Sequence, residues 1–215
     1  MNYTLTLVFS LSILIAVVIS WIRYKQIDPA YRPFLFLIWL SFANEILSII
    51  LAHTVRNNTI NNNCFFLLES LLITWQFYKW KVLNKTGLYL LQCLSAIVWI
   101  VELGFVYNIN TFCSYFIILH SFIIVLLSIS TINKVAFAGN TKLLKNPIAL
   151  ICFGFIGYFT FSVLTEAFWV NGLGEGNVFV LHIYWIQHYI NLFSNLIYAL
   201  AILWMPAKPR FILLS

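Results

Sequence analysis

Charged residues are scarce in this sequence of 215 residues, of which only 8% are Asp, Glu, Lys or Arg and 62% are hydrophobic. A soluble domain of this size has too little interior to bury that much apolar surface. The scarcity of charge therefore excludes an ordinary soluble enzyme or binding domain. It indicates that a lipid bilayer is the solvent of the chain.

Proline is also scarce, and none of it interrupts an apolar segment. The five prolines lie at segment ends or in the C-terminal tail, and they are Pro29, Pro33, Pro147, Pro206 and Pro209. Many transporters bind their substrate where proline or glycine breaks a spanning helix, so unbroken segments count against transport. Gly154 and Gly157 are instead expected to allow close packing between helices.

The four cysteines lack the CxxC spacing of redox and zinc motifs. Cys93 and Cys152 are predicted within helices. Cys64 and Cys113 are both predicted near the outer ends of helices, where a disulfide is conceivable but two free thiols are favoured.

Basic residues are present on one side only. Eleven of the twelve follow the first, third, fifth or seventh apolar segment: Arg23, Lys25, Arg32, Lys79, Lys81, Lys85, Lys134, Lys142, Lys145, Lys208 and Arg210. Arg56 is the exception. Because short loops rich in Lys and Arg stay in the cytoplasm, this pattern predicts an N-terminus outside and a C-terminus inside. Orientation thus explains the net charge of +6, and we expect attraction to anionic lipid but no nucleic-acid partner.

Seven apolar segments, each near the roughly 20 residues that cross a bilayer, predict an all-α polytopic membrane protein. The expected fold is a single domain over 1–215, a seven-transmembrane-helix bundle. Its helices are predicted at about 4–22, 34–54, 64–80, 88–107, 111–130, 148–170 and 179–204. The first lacks a preceding positive region and is predicted to be an uncleaved helix. Outer loops are predicted at 56–63, which reads RNNTINNN and is expected to be solvated, and at 171–177.

Four of the six acidic residues, Glu45, Glu69, Glu102 and Glu166, fall within predicted membrane segments. A carboxylate at mid-bilayer costs about 2.5–3.5 kcal/mol. Each is therefore expected to be protonated or to face water, a cation or hydrogen-bond donors. Glu45 is predicted at mid-membrane and the other three nearer the outside, which indicates a cavity that opens to the exterior.

Polar residues recur at helical spacing, so they form stripes that should face inward. The candidate ligand-binding residues on these stripes are Glu45, Glu69, His120, His188, Asn191, Glu102 and Glu166. For Asn191 the alternative is a hydrogen bond between helices without further function. Glu102 and Glu166 lie nearer the interface, where they could simply reach water.

A metal ion is the one cofactor that the sequence leaves open. Glu45, His120 and His188 are predicted at one depth and have zinc-binding groups. However, no HExxH or similar spacing supports the set. Haem is not expected, and neither is retinal, because the seventh segment has no Lys for a Schiff base. No catalytic residue is predicted, so the hypothesis that the protein is an enzyme is less favoured.

Three segments of the sequence read NEILSIILAHTVRNNTINNN, FFLLESLL and, near the end, IYALAILWMPAKPRF. In these segments the chain resembles a group of small seven-helix membrane proteins of Bacteroidota-type bacteria, and the resemblance covers most of the chain. It implies a multi-pass protein of the bacterial inner membrane and implies no activity.

Three functions remain open from the sequence. The favoured one is a binding or sensory module, in which a polar pocket open to the periplasm holds a small ligand, with a cation as one candidate, and a partner protein carries the signal. The first alternative is a small-solute or proton-coupled transporter, with Glu45 or Glu69 as the protonation site. The second is an intramembrane, metal-dependent hydrolase that acts on lipid.

Overall fold

A computed structural model describes residues 8–106, 110–137, 143–171 and 178–207. The described residues are helical and contain no β-strand. The helices are α1 (Ile13–Arg23), α2 (Arg32–Thr54), α3 (Thr59–Lys79), α4 (Lys85–Val101), α5 (Ser114–Phe137), α6 (Pro147–Val170) and α7 (Val178–Trp204). One turn of π-helix, Glu102–Val106, extends α4. The all-α prediction is confirmed for this part of the chain.

Five helices are long and apolar enough to cross a membrane. They are Pro29–Thr54, Lys85–Val106, Ser114–Phe137, Pro147–Val170 and Trp185–Trp204, and the apolar helix Val8–Arg23 is shorter. The chain is therefore an all-helical protein with membrane-length helices. Seven crossings and their orientation stay predictions. Several sequence predictions fall on positions outside the described ranges, namely 4–7, 107, Lys142, 172–177, Lys208 and Arg210.

Local sequence explains where several helices begin. Pro33 and Pro147 lie in the first turns of α2 and α6, where the missing N–H of proline costs no helical hydrogen bond. Asn146 caps α6, because its Oδ1 accepts hydrogen bonds from the backbone N–H groups of Ile148 (2.9 Å) and Ala149 (3.4 Å). Asn84 caps α4 in the same way. These prolines mark helix boundaries as predicted.

The prediction of a solvated loop at 56–63 is wrong for its second half. α3 begins at Thr59, well before the predicted 64. Asn63 is fully buried at 0% exposure; its Nδ2 donates to the carbonyl oxygen of Thr111 (2.8 Å), and its Oδ1 accepts from the backbone N–H of Cys113 (3.2 Å). The Asn side chain is satisfied by protein partners instead of water.

The neighbouring asparagines join α3 to α2. The Nδ2 group of Asn61 donates to Oδ1 of Asn44 (2.7 Å) and to Oγ of Ser48 (3.0 Å). Asn62 Oδ1 accepts from the Ser48 hydroxyl (2.9 Å) and from Asn44 Nδ2 (3.3 Å). Amide pairs of this kind fix one helix against another inside a membrane.

The helices form a closed ring. α1 packs on α2 and α7, α2 on α3, α3 on α4 and α5, and the two largest interfaces join α5 to α6 and α6 to α7. The main core lies inside this ring and includes the fully buried side chains of Phe34, Phe77, Phe155 and Phe159. α4 stands at the periphery, so most of its apolar surface is exposed.

Arg23 joins the first helix to the last. Its guanidinium donates to the carbonyl oxygens of Ile202 (2.5 Å), Leu203 and Met205 (3.1 Å) at the end of α7. The last carbonyls of a helix have no partner within the helix, and a cation there also interacts favourably with the helix dipole. Arg23 thus caps the C-terminal end of α7, although the two are separated by most of the sequence.

Candidate functional site

A polar cavity of about 60 Å³ lies within the ring, between α1, α2, α3, α6 and α7. Its polar lining residues are Ser10, Ser41, Asn44, Glu45, Glu69, Tyr158, Asn191, Asn195 and Tyr198. Apolar side chains such as Phe65, Phe155 and Phe159 complete the wall. Two carboxyl groups face this space, and none of the described Lys or Arg residues lines it. Of the seven candidate residues, the structure brings three, Glu45, Glu69 and Asn191, to this cavity.

Glu45 enters the cavity from α2. It lies one helical turn beyond Ser41, which also lines the cavity and whose hydroxyl donates to the backbone oxygen of Leu37 (2.9 Å). The hydroxyl of Ser10, before α1, is a hydrogen-bonding partner of the Glu45 carboxyl group. Glu45 therefore has one neutral donor and no cationic partner among the lining residues, so a cation entering the cavity would meet little competition for this carboxyl group.

Glu69 enters from α3 and adjoins His120 of α5. The Oε2 atom of Glu69 is 3.6 Å from Nε2 of His120. Both residues are buried, with exposures of 6% and 3%, and neither of these two atoms has a hydrogen-bond partner in the described structure. Unsatisfied buried polar atoms are uncommon and often mark functional positions. His120 does not itself line the cavity, but it contacts a residue that does.

Aromatic rings hold the imidazole of His120 in place. Phe116, one turn earlier on α5, stacks on it at a centroid distance of 5.3 Å and an interplanar angle of 6°. Phe159 of α6 meets it edge-on, also at 5.3 Å. Nδ1 of His120 lies 3.2 Å from the carbonyl oxygen of Ile117. Because a carbonyl oxygen only accepts, Nδ1 carries the proton in this bond, and Nε2 is left facing Glu69.

The far wall of the cavity depends on one close helix contact. A Cβ atom placed on Gly154 would lie 2.3 Å from Cε1 of Tyr198, whereas a Cβ on Gly157 would meet nothing within 4 Å. The Ser194 hydroxyl also donates to the Gly154 carbonyl oxygen (3.3 Å). Close packing is thus confirmed at Gly154, whereas no residue in the described part of the chain packs closely on Gly157.

Asn195 shows the structural role expected of intramembrane amides. Its Nδ2 donates to the hydroxyl of Ser12 (2.9 Å), which in turn donates to the backbone oxygen of Phe9 (2.6 Å). Gln76 is a second example, because its Oε1 accepts from the N–H of Phe34 (2.8 Å) in the first turn of α2. Both side chains stabilise helix packing.

Glu102 and Glu166 lie apart from the cavity and meet at the beginning of α5. The Glu102 carboxylate accepts from the backbone N–H groups of Tyr115 (2.9 Å) and Phe116 (2.6 Å). The Ser114 hydroxyl is a hydrogen-bonding partner of Glu166. A carboxylate that accepts the unpaired N–H groups of a helix start is a cap. The structure thus gives these two candidates a structural environment.

His188 does not lie where the sequence predicts it. It is half-buried on α7 and is not among the residues that line the cavity. The proposed metal ligands Glu45, His120 and His188 are not brought together, and the described residues contain no cluster of three or more His, Cys, Asp or Glu side chains suited to a metal. Cys64 and Cys113 are free thiols.

Sequence reasoning missed Ser10, Tyr158 and Tyr198 as a group that faces the two carboxyl groups. Tyr198 follows Asn191 and Asn195 at helical spacing, but Tyr158 lies in a run of aromatic residues, IGYFTF, where no periodicity distinguishes it. Both tyrosines lie close enough to Glu69 to interact with it electrostatically. Depth could have suggested this for Tyr158, which lies at the middle of α6, but not for Tyr198, which lies near the end of α7.

Comparison of the chain with protein-family models, with curated proteins and with solved structures finds no match. The class of protein therefore rests on the fold and the cavity themselves. They define an all-helical protein with membrane-length helices and a cavity lined by two carboxyl groups.

Proposed function

We propose that this protein is an integral membrane binding module whose cavity holds a small cation at Glu45 and Glu69. In this proposal seven helices cross a bacterial inner membrane with the N-terminus outside, and the cavity communicates with the periplasm. A partner protein carries any signal, because the predicted cytoplasmic loops are too short to form a catalytic domain. The observation that carries the proposal is the pairing of two carboxyl groups in one cavity that no Lys or Arg in the described part of the chain lines.

The cavity size limits the ligand. Pockets for metabolites or drug-sized molecules measure about 300–1,000 Å³, and even benzene occupies an engineered cavity of about 150 Å³. A volume of about 60 Å³ corresponds to about two water molecules. A single ion with a water molecule fits this space, whereas a sugar or an amino acid does not.

The donor atoms favour a hard cation. Carboxylate, amide and hydroxyl oxygens surround the cavity, and oxygen-only sites suit alkali and alkaline-earth ions. A cation there would also offset the cost of holding two carboxylates in a membrane interior. This balance of charge supports a cation over an anion or a neutral solute.

The test is thermal unfolding of the purified protein in detergent with Na⁺, K⁺, Mg²⁺ or Ca²⁺ at constant ionic strength. A ligand that binds only the folded state raises the melting temperature with its concentration. We expect one of these ions to do so in the wild type and not in Glu45→Gln. Glu166→Gln is the matched control, because it removes a carboxylate that does not line the cavity. A wild type that responds to none of the four ions overturns the proposal.

The two alternatives make different predictions in the same preparation. A transporter would move the bound ion across proteoliposomes, and uptake would be lost in Glu45→Gln. A lipid-acting metal hydrolase would contain stoichiometric zinc after purification. Neither has a specific observation in its favour, since no proline or glycine break lies at the cavity in the described helices and His188 does not reach the other two proposed ligands.

A further inference from the structure

Polar side chains lead from the cavity toward the end of the bundle at which α6 ends and α7 begins. On α6, Tyr158 lines the cavity and Ser162 follows it by one turn. On α7, Asn191 lines the cavity and Gln187 precedes it by one turn. The two stripes meet, because Nε2 of Gln187 donates to the hydroxyl of Ser162 (3.2 Å). The polar lining of the cavity thus continues between these two helices.

One oxygen in this stretch accepts no hydrogen bond. The Ser162 hydroxyl donates its proton to the backbone oxygen of Tyr158 (3.1 Å), so toward Gln187 the hydroxyl can only accept. The amide nitrogen of Gln187 therefore faces Ser162, and Oε1 is left buried without a hydrogen-bond partner in the described structure. Buried acceptors of this kind are uncommon. An amide oxygen is also a good ligand for a hard cation.

A second polar connection leads from the cavity to the same end of the bundle, and its own hydrogen bonds close it. It joins Asn44, which lines the cavity, to the amides of Asn61 and Asn62 and to the hydroxyl of Ser48. In the described structure no buried side-chain oxygen or nitrogen of these four residues lacks a partner. A cation that entered there would break several bonds between α2 and α3, whereas at Gln187 it meets an oxygen that no described group uses.

Acidic groups lie at both ends of the stretch between α6 and α7. Glu166 follows Ser162 by one turn on α6, and Glu45 and Glu69 lie at the cavity. All three carboxyl groups are close enough to Tyr158 to interact with it electrostatically. Acidic groups that line a cleft raise the local concentration of cations. The distribution of charge thus favours the passage of a cation over that of an anion.

We infer that a cation reaches the proposed site between α6 and α7 and that Gln187 is its outer contact. This inference rests on the cation-binding function proposed above and deepens it. The Oε1 atom of Gln187 replaces one water molecule in the hydration shell of the ion, which then passes Ser162 and Tyr158. Glu45 and Glu69 bind the ion at the end of this route. Gln187 therefore affects how fast the ion arrives and leaves, whereas the two carboxyl groups determine how tightly it binds.

Thiol accessibility tests the route directly, in purified chains that lack the four native cysteines. Gln187→Cys and Ser162→Cys should each react with a methanethiosulfonate that carries an ethylammonium group about tenfold faster than with the neutral methyl reagent, after correction for the rates with a free thiol. Ser162→Cys exchanges one oxygen for sulfur, so it tests the route even if Gln187→Cys does not fold.

Ser48→Cys, at the closed connection between α2 and α3, is the matched control. It should react with the ethylammonium reagent at least about tenfold more slowly than the two α6–α7 variants, because no opening leads to it. Equal or faster reaction at Ser48→Cys overturns the inference, and so does a folded Gln187→Cys or Ser162→Cys chain that does not react. Either result leaves the proposed function standing.

The rate of ion exchange tests the role of Gln187 itself. Gln187→Leu should exchange a radioactive isotope of the stabilising ion about tenfold more slowly than the wild type, because one contact to the moving charge is lost. The increase in melting temperature at saturating ion should be unchanged, since Glu45 and Glu69 remain. Gln92→Leu is the control, because Gln92 also donates one hydrogen bond between helices, to the backbone oxygen of Leu71 (3.3 Å), but does not line the cavity.

Two results of this exchange measurement overturn the inference. One is exchange at the wild-type rate in Gln187→Leu, and the other is loss of its increase in melting temperature, which would make Gln187 a ligand of the bound ion. If no ion stabilises the wild type, the proposed function fails. The thiol reactions then still decide whether a route open to cations leads past Gln187.

Discussion

A buried glutamate lies at the beginning of α5 and another lies at the cavity, but their hydrogen bonding is opposite. At the beginning of α5, Glu102 is 3% exposed, and its two oxygens accept hydrogen bonds from two backbone N–H groups. In the cavity, Glu69 is equally buried at 6%, yet its Oε2 has no hydrogen-bond partner in the described structure. At the beginning of α5 the protein stabilises the buried carboxylate with hydrogen bonds. In the cavity one oxygen of the buried carboxyl group is left without a described hydrogen-bond partner.

This difference separates structure from function more clearly than residue type or membrane depth does. A group whose hydrogen-bonding capacity is met by the protein stabilises the fold and has nothing left to offer a ligand. A group whose capacity is unmet lowers the stability of the unliganded protein and gains most when a ligand arrives. Mutations at the two places should therefore change stability with opposite signs.

The largest effect is expected at Glu102. Glu102→Ala leaves the N–H groups of Tyr115 and Phe116 buried without an acceptor, which should lower the free energy of unfolding by about 2–3 kcal/mol. Chemical or thermal unfolding in detergent micelles measures the change. Glu102→Gln is the control, because it keeps one acceptor oxygen and should lose about half as much. An alanine variant as stable as the wild type would show that the cap does not stabilise α5.

A somewhat smaller loss is expected at the contact between α6 and α7. Gly154→Ala places a methyl group 2.3 Å from the Tyr198 ring, and relief of such overpacking costs about 2 kcal/mol. Tyr198 also lines the cavity, so a displaced ring should weaken ion binding as well. Gly157→Ala, on the same helix with open space around its Cβ, should change stability by less than about 0.5 kcal/mol. Equal losses in both variants would contradict the structure.

Glu69→Gln should have the opposite sign to Glu102→Gln. The amide carries no charge and its N–H can donate to Nε2 of His120, so the free energy of unfolding without ions should rise by about 1 kcal/mol. The same change should weaken ion binding at least tenfold, which thermal shifts at increasing ion concentration would measure. A Gln variant that is destabilised as much as Glu102→Gln would place both carboxylates in the same structural role.

The sequence predicts the elements of this fold better than their contacts. Hydropathy locates apolar helices because exposure to lipid requires apolar side chains on every turn. Proline marks the beginnings of two helices, at Pro33 and Pro147, because its fixed backbone geometry suits the first turn. That Glu45, Glu69 and Asn191 should face inward also follows from the stripes of polar residues at helical spacing. These features depend on one helix at a time, so they can be derived without knowing how the helices pack.

Features that need two helices at once were not predictable in this way. His120 and His188 have similar predicted depths, but only the rotation of each helix about its axis decides that His120 meets Glu69. The cap of α5 by Glu102 depends on how the end of α4 lies against the beginning of α5. Asn63 is buried because Thr111 and Cys113 lie beside it. In each case the sequence shows the polar group and not its partner.

The last comparison concerns two thiols near the predicted outer surface. It is tested by chemical labelling, and we expect the cysteine substitutions that it requires to leave the stability of the protein unchanged. Cys64 is exposed and Cys113 is buried. Burial raises the pKa of the Cys113 thiol to about 12, and the nearby Glu102 carboxylate adds to the rise. Because the thiolate is the reactive form, a raised pKa lowers reactivity at neutral and mildly alkaline pH.

The measurement uses two variants, one that keeps only Cys64 of the four cysteines and one that keeps only Cys113. Intact cells that carry each variant are treated with a membrane-impermeant maleimide. Cys64 should be labelled if the beginning of α3 faces outward, as the distribution of basic residues predicts, and Cys113 should react only after the protein is unfolded. Labelling of Cys64 only in inverted vesicles would reverse the predicted orientation, and with it the side from which an ion reaches Glu45 and Glu69. Rapid labelling of Cys113 in the folded protein would instead show that the beginning of α5 is open to water, and the buried cap at Glu102 would no longer distinguish that region from the cavity.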